Sequence, residues 1–366
     1  MSSEAVLKEP DQFIAAVPAM LGFTPERSLV VAMLRKAPDQ THDVHVVVRL
    51  DLPPAGQYSE VLQHITRICR TSDAVAALVV IVDDHRSRSR SGHPVGSAGH
   101  RRLVEVLRQG LAESDVALTG AWAVRAIEKD AEWWNVESPE CRGLLLDPSA
   151  SLVAARHVFD GRVLRSSRSE LVDSIAVDEA MREEVTAHLP VAATDAARRL
   201  TRALQIDNPD AYLRMTVWQV MSVITQVRDG AKISASTTAE VAVALRDKCV
   251  RDIMLGVAGG AYAEAAERLW TVLTRALPAP DRAEAATLLA FNAYLRGDGP
   301  LAGIAIDQAL ASDPEHRMAY LLDFGFRSAM VPARLKKLVD SGIAAAAGLR
   351  VDIGATTTDS GVTVTR

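Results

Sequence analysis

Arg49 and Asp51 close an apolar run at residues 44–50 (VHVVVRL), and Asp83 and Asp84 follow another at residues 75–82 (VAALVVIV). Glu26, Arg27 and Ser28 stand at the start of a third, residues 28–34 (SLVVAML). Carboxylates brought together can hold Mg²⁺ or act as a general base. If residues 28–34 run antiparallel to 44–50, and 44–50 runs parallel to 75–82 in one open α/β sheet, these residues gather at one edge, beyond the carboxyl ends of the two parallel strands, where ligands of such sheets bind. The same residues also have an ordinary use. An Asp after a strand caps a turn, and Arg49 pairs with a neighbouring Asp. Sequence alone leaves both readings open.

A second stretch, residues 85–102 (HRSRSRSGHPVGSAGHRR), holds five arginines, three histidines and no acidic residue. Arg86, Arg88, Arg90 and Arg101 are the candidates for anion contact. Gly92, Gly96 and Gly99 lie between a strand and a helix, as a phosphate loop would. Their spacing matches neither GxxxxGK[ST] nor GxGxxG. A solvated loop is the competing reading. No aromatic side chains interleave to stack bases, which argues against single-strand recognition. The chain has no GxSxG, HExxH or SxxK pattern, and its cysteines, Cys69, Cys141 and Cys249, form no CxxC pair, so no metal site is expected. His64 and His157 read as structural side chains.

The elements that position these residues follow from periodicity. Residues 28–34 and 44–50 flank a polar turn and predict an antiparallel pair. Residues 57–71 have helical spacing, and the all-apolar run 75–82 predicts a strand buried on both faces. A helix over 100–112, a strand over 116–126 and a short strand over 132–136 complete the half. In that short strand, Trp133 is expected in the core and Trp134 partly exposed, or the reverse. The order β-α-β-α-β predicts a mixed sheet with crossover helices. After residue 165 strand signals stop. Asp178, Thr194 and Pro209 each open a helical stretch, and residues 211–227 and 239–251 have helical spacing. Helices over 261–276, 281–296, 300–312 and 315–329 follow. Within residues 283–316, Ala290, Ala293, Ala302, Ile306, Ala309 and Pro314 fall where a tetratricopeptide unit places its packing residues, with Gly297–Asp298 at the turn. The expected organisation is an α/β domain over 1–165, an all-helical domain with tetratricopeptide-like hairpins over 166–345, and a disordered Thr/Gly-rich tail over 346–366.

Composition narrows the function classes. Aromatics make up only 4% of the residues, so Ala, Val and Leu must build the cores. A net charge of −5 argues against nucleic acid or anionic lipid as partner. The longest apolar run is far short of a membrane span, and Pro18 and early acidic residues exclude a signal peptide. Three scattered cysteines fit a reducing cytoplasm.

The phrases PAMLGFTPERSLVV, VVVRLDLPP, VRDIMLG and LLAFNAYLRGDGPLAGIAIDQALASDPEHRMAYLL resemble the actinobacterial family of domains of unknown function numbered 4192. The resemblance covers residues 10–340. It implies the two-part architecture and a bacterial cytoplasmic origin, and brings no activity, cofactor or site residue. Two functions follow as expectations. One is a non-enzymatic binding or regulatory protein whose helical half contacts a protein partner. The other is a nucleotide- or phosphate-handling α/β enzyme that uses the sheet-edge carboxylates with Mg²⁺.

Overall fold

The computed structural model describes residues 9–36, 42–69, 74–84, 97–159, 165, 167–328, 330 and 332–354. It divides into two compact units, residues 1–171 with 327–330, and residues 172–326 with 331–366. The division falls slightly beyond the expected 165/166 boundary. Arg165, at the expected boundary, bridges to Phe23, its N–H donating to the Gly22 carbonyl at 2.9 Å.

The first unit is built on a mixed six-stranded sheet of order β2-β1-β3-β4-β5-β6. β1 (Ser28–Lys36) lies between two antiparallel partners, β2 (His42–Asp51) and β3 (Ala76–Val82). β4 (Ala117–Val124) pairs parallel with β3, and β5 (Glu132–Asn135) and β6 (Arg142–Leu144) extend the sheet antiparallel. β6 carries no strand signal of its own and exists by pairing with β5. Every residue of β1 from Ser28 to Leu34 is buried.

Helices cover both sheet faces. On one face, Leu29, Val31, Met33, Val79 and Ile81 pack against Ile65 and Ile68 of α2 (Ser59–Cys69) and Leu103 and Leu107 of α3 (Ser97–Ala112). On the other, the Phe13 ring of α1 (Pro10–Leu21) meets Trp122 at 5.9 Å between centroids. α1 forms although Pro18 lies inside it. Its last three turns are buried almost throughout, so packing outweighs the hydrogen bond that a proline cannot donate. Trp133 and Trp134 are both buried, which corrects the expected half-exposed pair. The strand carrying them is covered on both faces.

The second unit is helical: α6 (Glu179–Gln205), α7 (Pro209–Arg228), α8 (Ala235–Leu245), α9 (Lys248–Val257), α10 (Ala263–Ala276), α11 (Asp281–Arg296), α12 (Gly299–Ser312), α13 (Arg317–Arg327) and α14 (Lys336–Gly348); of the two short helices before them, α4 (Leu152–Phe159) belongs to the first unit and α5 (Arg168–Asp173) spans the division. Two expectations are corrected here. Thr194 opens no helix. It sits inside α6, where its hydroxyl donates back to the Pro190 carbonyl at 2.8 Å. Residues 239–251 form two helices, because Asp247 caps α9 by accepting from the Cys249 N–H at 2.9 Å. Buried Asp281 ties α11 to α8 through two contacts of 2.7 Å from Arg246.

The tail expected to be disordered from residue 346 is ordered at its start. α14 continues to Gly348, and Val351 and Ile353 are buried. The Leu349 carbonyl accepts from Arg214 Nε, and the Gly354 carbonyl from the Ala261 N–H, both at 2.9 Å. Residues 355–366 lie outside the described residues. Among the described residues no helix is long and apolar enough to cross a membrane.

α14 crosses α9 at a contact of backbone on backbone. A Cβ on Gly342 would stand 2.6 Å from the Gly256 nitrogen, and one on Gly256 2.8 Å from the Ile343 nitrogen. Neither neighbour is a flexible side chain that could yield. A Cβ on Gly348 of the same helix meets nothing within 4 Å. Gly256→Ala and Gly342→Ala should each destabilise the chain by about 1–3 kcal/mol in urea unfolding, against the usual helix gain of alanine. Gly348→Ala should be neutral or stabilising. Equal effects at the three positions would refute the close crossing.

Candidate functional site

Ser28 pairs in register with both Asp51 and Val82, so the ends of β2 and β3 and the start of β1 meet at one end of the sheet. Arg27 approaches in the left-handed region (φ 44°), and its carbonyl accepts from the Leu52 N–H at 2.9 Å. The Ser28 hydroxyl is wholly buried. It donates to the Glu26 carbonyl at 2.5 Å and accepts from Arg49 Nε at 2.8 Å. Arg49 also reaches the Glu26 carbonyl at 3.3 Å and the Asp51 carboxylate at 2.6 Å. Asp51 itself is 88% exposed.

Asp83 belongs to the same end of the sheet and to the opposite face. Its N–H continues the ladder to the Val124 carbonyl at 3.0 Å. By strand alternation its side chain lies on the face of Val79 and Ile81, under α2 and α3. Ser28, Arg49 and Asp51 alternate onto the α1 face. Strands one apart in a sheet are separated by about 10 Å. Asp51 and Asp83 therefore cannot grip one Mg²⁺, whose oxygen ligands lie at about 2 Å. Asp84 is exposed. The six sheet-edge candidates are brought to one end but not into one cleft.

Asp83 meets a residue outside that set. His100 Nε2 lies 2.9 Å from Asp83 Oδ2, and the ring is buried in the first turn of α3. Its Nδ1 is buried without a hydrogen-bond partner among the described residues. The Tyr58 hydroxyl donates to the adjacent Gly99 carbonyl at 3.4 Å. His100 was within sight of sequence reasoning as one of the three histidines in the basic stretch. The signal that singles it out is its place in the helix that follows a buried strand ending in Asp83. Arg101 is exposed on α3, while Arg86, Arg88 and Arg90 lie outside the described residues. Among the described residues no three His, Cys, Asp or Glu side chains come together as a metal site. Cys69 is buried beside Met33, and burial pushes its thiol up to about 11, which removes it as a nucleophile at neutral pH. Burial, helped by the charges of Arg67 and Arg327, lowers the pKa of His64.

The helical unit carries a different feature, a groove of 560 Å³ walled by the end of α6, the face of α7 and the start of α8. Ile206, Met215 and Trp218 line it and stand 66%, 64% and 65% exposed. Met215, Trp218, Ser222 and Gln226 recur at helical spacing along α7, and Arg199 and Arg202 form one rim. Glu240 on the far wall accepts from the Gln219 amide at 2.6 Å.

A family model described as a domain of unknown function, DUF4192, matches residues 10–333. The chain belongs to the DUF4192 family. No curated protein and no solved structure matches it. The DUF4192 match opens on the first residue of α1 and spans both units. It stops short of α14, although that helix packs against α9 within the second unit. The family brings no activity to either the sheet end or the groove.

The geometry separates a structural serine from a dispensable carboxylate. Ser28→Ala leaves Arg49 Nε and the Glu26 carbonyl without their shared partner and should cost about 1–3 kcal/mol. Asp51→Ala should change stability by less than about 0.5 kcal/mol, since its ion pair faces water. Urea unfolding of the two variants side by side checks the order, and the reverse order would mean that Asp51 is the anchor.

Proposed function

We propose that this chain is a non-enzymatic binding or regulatory protein of the cytoplasm whose helical unit receives a protein partner. One observation carries the reading: Trp218, together with Met215 and Ile206, stands exposed on a groove. Aromatics are scarce, at 4% of the chain, and the other four tryptophans are buried or half-buried. Contiguous exposed apolar side chains at a concave site mark interaction surfaces, and tryptophan is enriched where binding energy concentrates.

Other features support the same reading. Ala290, Ala293, Ala302, Ile306 and Ala309 are buried in the α11–α12 hairpin and resemble the packing positions of a tetratricopeptide unit. Hairpins of that kind build partner surfaces in helical-repeat proteins. The three cysteines are unpaired, which fits a reducing compartment. The net charge of −5 argues for a protein partner over nucleic acid or anionic lipid.

The Asp83–His100 pair favours a second reading, a nucleotide- or phosphate-handling enzyme. The pair lies beyond the carboxyl ends of the parallel β3 and β4, a common place for ligands in α/β sheets. Under this reading a nucleotide, with or without Mg²⁺, should raise the melting temperature by mass action, and Asp83→Asn should abolish the rise. No shift with any nucleotide would remove this reading.

The binding reading is tested by affinity capture with Trp218→Ala/Met215→Ala as the control bait. Both side chains are mostly in water, so the double variant should fold and melt like the parent, within about 1 kcal/mol. A partner held by the parent and lost by the variant supports the groove. A partner held equally by both places the contact elsewhere.

A further inference from the structure

The groove's charge narrows the chemistry of its occupant. The Arg199 and Arg202 side chains on its rim make no ion pair with a carboxylate among the described residues. Their neighbour Arg198 is paired with Asp195, and Arg214 at the start of α7 donates to the Leu349 carbonyl. Glu240, the acidic residue of the lining, stands on the far wall from the arginines, where it accepts from the neutral Gln219 amide and keeps its charge. The groove thus offers an apolar floor beside two guanidiniums, and its lining carries these two positive charges against the single negative charge of Glu240, on a chain whose net charge is negative. A positive rim on an acidic protein is local, so it selects at the groove rather than over the whole surface.

The dimensions fit a helix. The α7 stripe from Met215 to Gln226 runs roughly 16 Å along its axis, and the α6 rim from Arg199 to Ile206 roughly 10 Å, at 1.5 Å rise per residue. That length accepts two to three turns of a helix with apolar anchors at i, i+3 or i+4, and i+7, the pattern by which amphipathic helices lie in grooves. Carboxylates on the flank of such a helix would meet Arg199 and Arg202, and guanidiniums bind carboxylates in a bidentate fork.

We infer that the α6–α7 groove receives an acidic amphipathic helix of another protein, its apolar face on Trp218, Met215 and Ile206 and its carboxylates on Arg199 and Arg202. The inference rests on the binding reading above and goes further by fixing the partner's charge and secondary structure.

The test uses the full chain and two fluorescein-labelled helical peptides with one apolar face of leucines. One carries glutamates on its polar face and the other lysines. By fluorescence anisotropy the glutamate peptide should bind and the lysine peptide should not. Arg199→Glu/Arg202→Glu should weaken the glutamate peptide by about tenfold or more, as two attractions become repulsions. Raising NaCl from about 50 mM to about 500 mM should weaken it too, and Trp218→Ala/Met215→Ala should abolish binding. Melting curves of both variants confirm that they fold.

Equal or tighter binding of the lysine peptide, lost in Trp218→Ala/Met215→Ala, overturns the acidic selectivity and leaves the groove as a binding site. Binding of the glutamate peptide that survives the arginine reversal also overturns it. If the chain itself dimerises in sedimentation and Trp218→Ala/Met215→Ala makes it monomeric, a second copy is the occupant and the inference fails. If neither peptide binds and the chain stays monomeric, the inference falls and the groove reading loses support with it.

Discussion

β1 has no exposed side over its first seven residues, and the N-terminal unit follows from that. A strand buried on both faces must have every backbone N–H and C=O paired. β1 meets the requirement by lying between β2 and β3, antiparallel to each. Two consequences are fixed at once. β2 and β3 must point the same way, so their carboxyl ends share one end of the sheet. Helices must also cover both faces, which α1 provides on one side and α2 and α3 on the other. Polar chemistry is thereby pushed to the strand ends. There, alternation sends neighbouring side chains to opposite faces. Ser28, Arg49 and Asp51 fall on one face and Asp83 with His100 on the other, and the sheet end becomes two separate polar contacts instead of one cluster.

The helical unit solves burial with different material. With few aromatics, it fills its interior with alanines and brings helices close. Gly256 and Gly342 let α9 and α14 touch backbone to backbone, and α11 and α12 both bury several alanines. Small residues bury little area each, so close packing and many contacts must supply what large anchors supply elsewhere. Trp270 and Phe291 are fully buried exceptions. Against that economy, a tryptophan and a methionine on α7 leave about two thirds of their surface in water, where it contributes little to the fold.

The DUF4192 match, over residues 10–333, covers the sheet end and the groove alike. At the sheet end the buried polar groups find partners within the chain. Buried Ser28 illustrates the point: its hydroxyl both donates and accepts, and each partner belongs to the chain's own framework.

The sequence by itself determined the local elements. The uniform apolar run at residues 75–82 specifies a buried strand. The turn residues specify where α10 to α13 begin and end, because capping and periodicity are properties of neighbours in the chain. It also determined that Ser28, Asp51 and Asp83 would come to one end of a sheet, since a crossover helix constrains strand direction. Only the tertiary structure decided which face each of them occupies, because a face depends on what covers it. It decided that His100, and not Asp51, would meet Asp83, that α1 would form across Pro18, and that residues 346–354 would pack. In each case the deciding partner is remote in sequence. The groove has the same origin. Arg199, Trp218 and Glu240 lie on three helices, each ordinary when read alone, and helix packing brings them together.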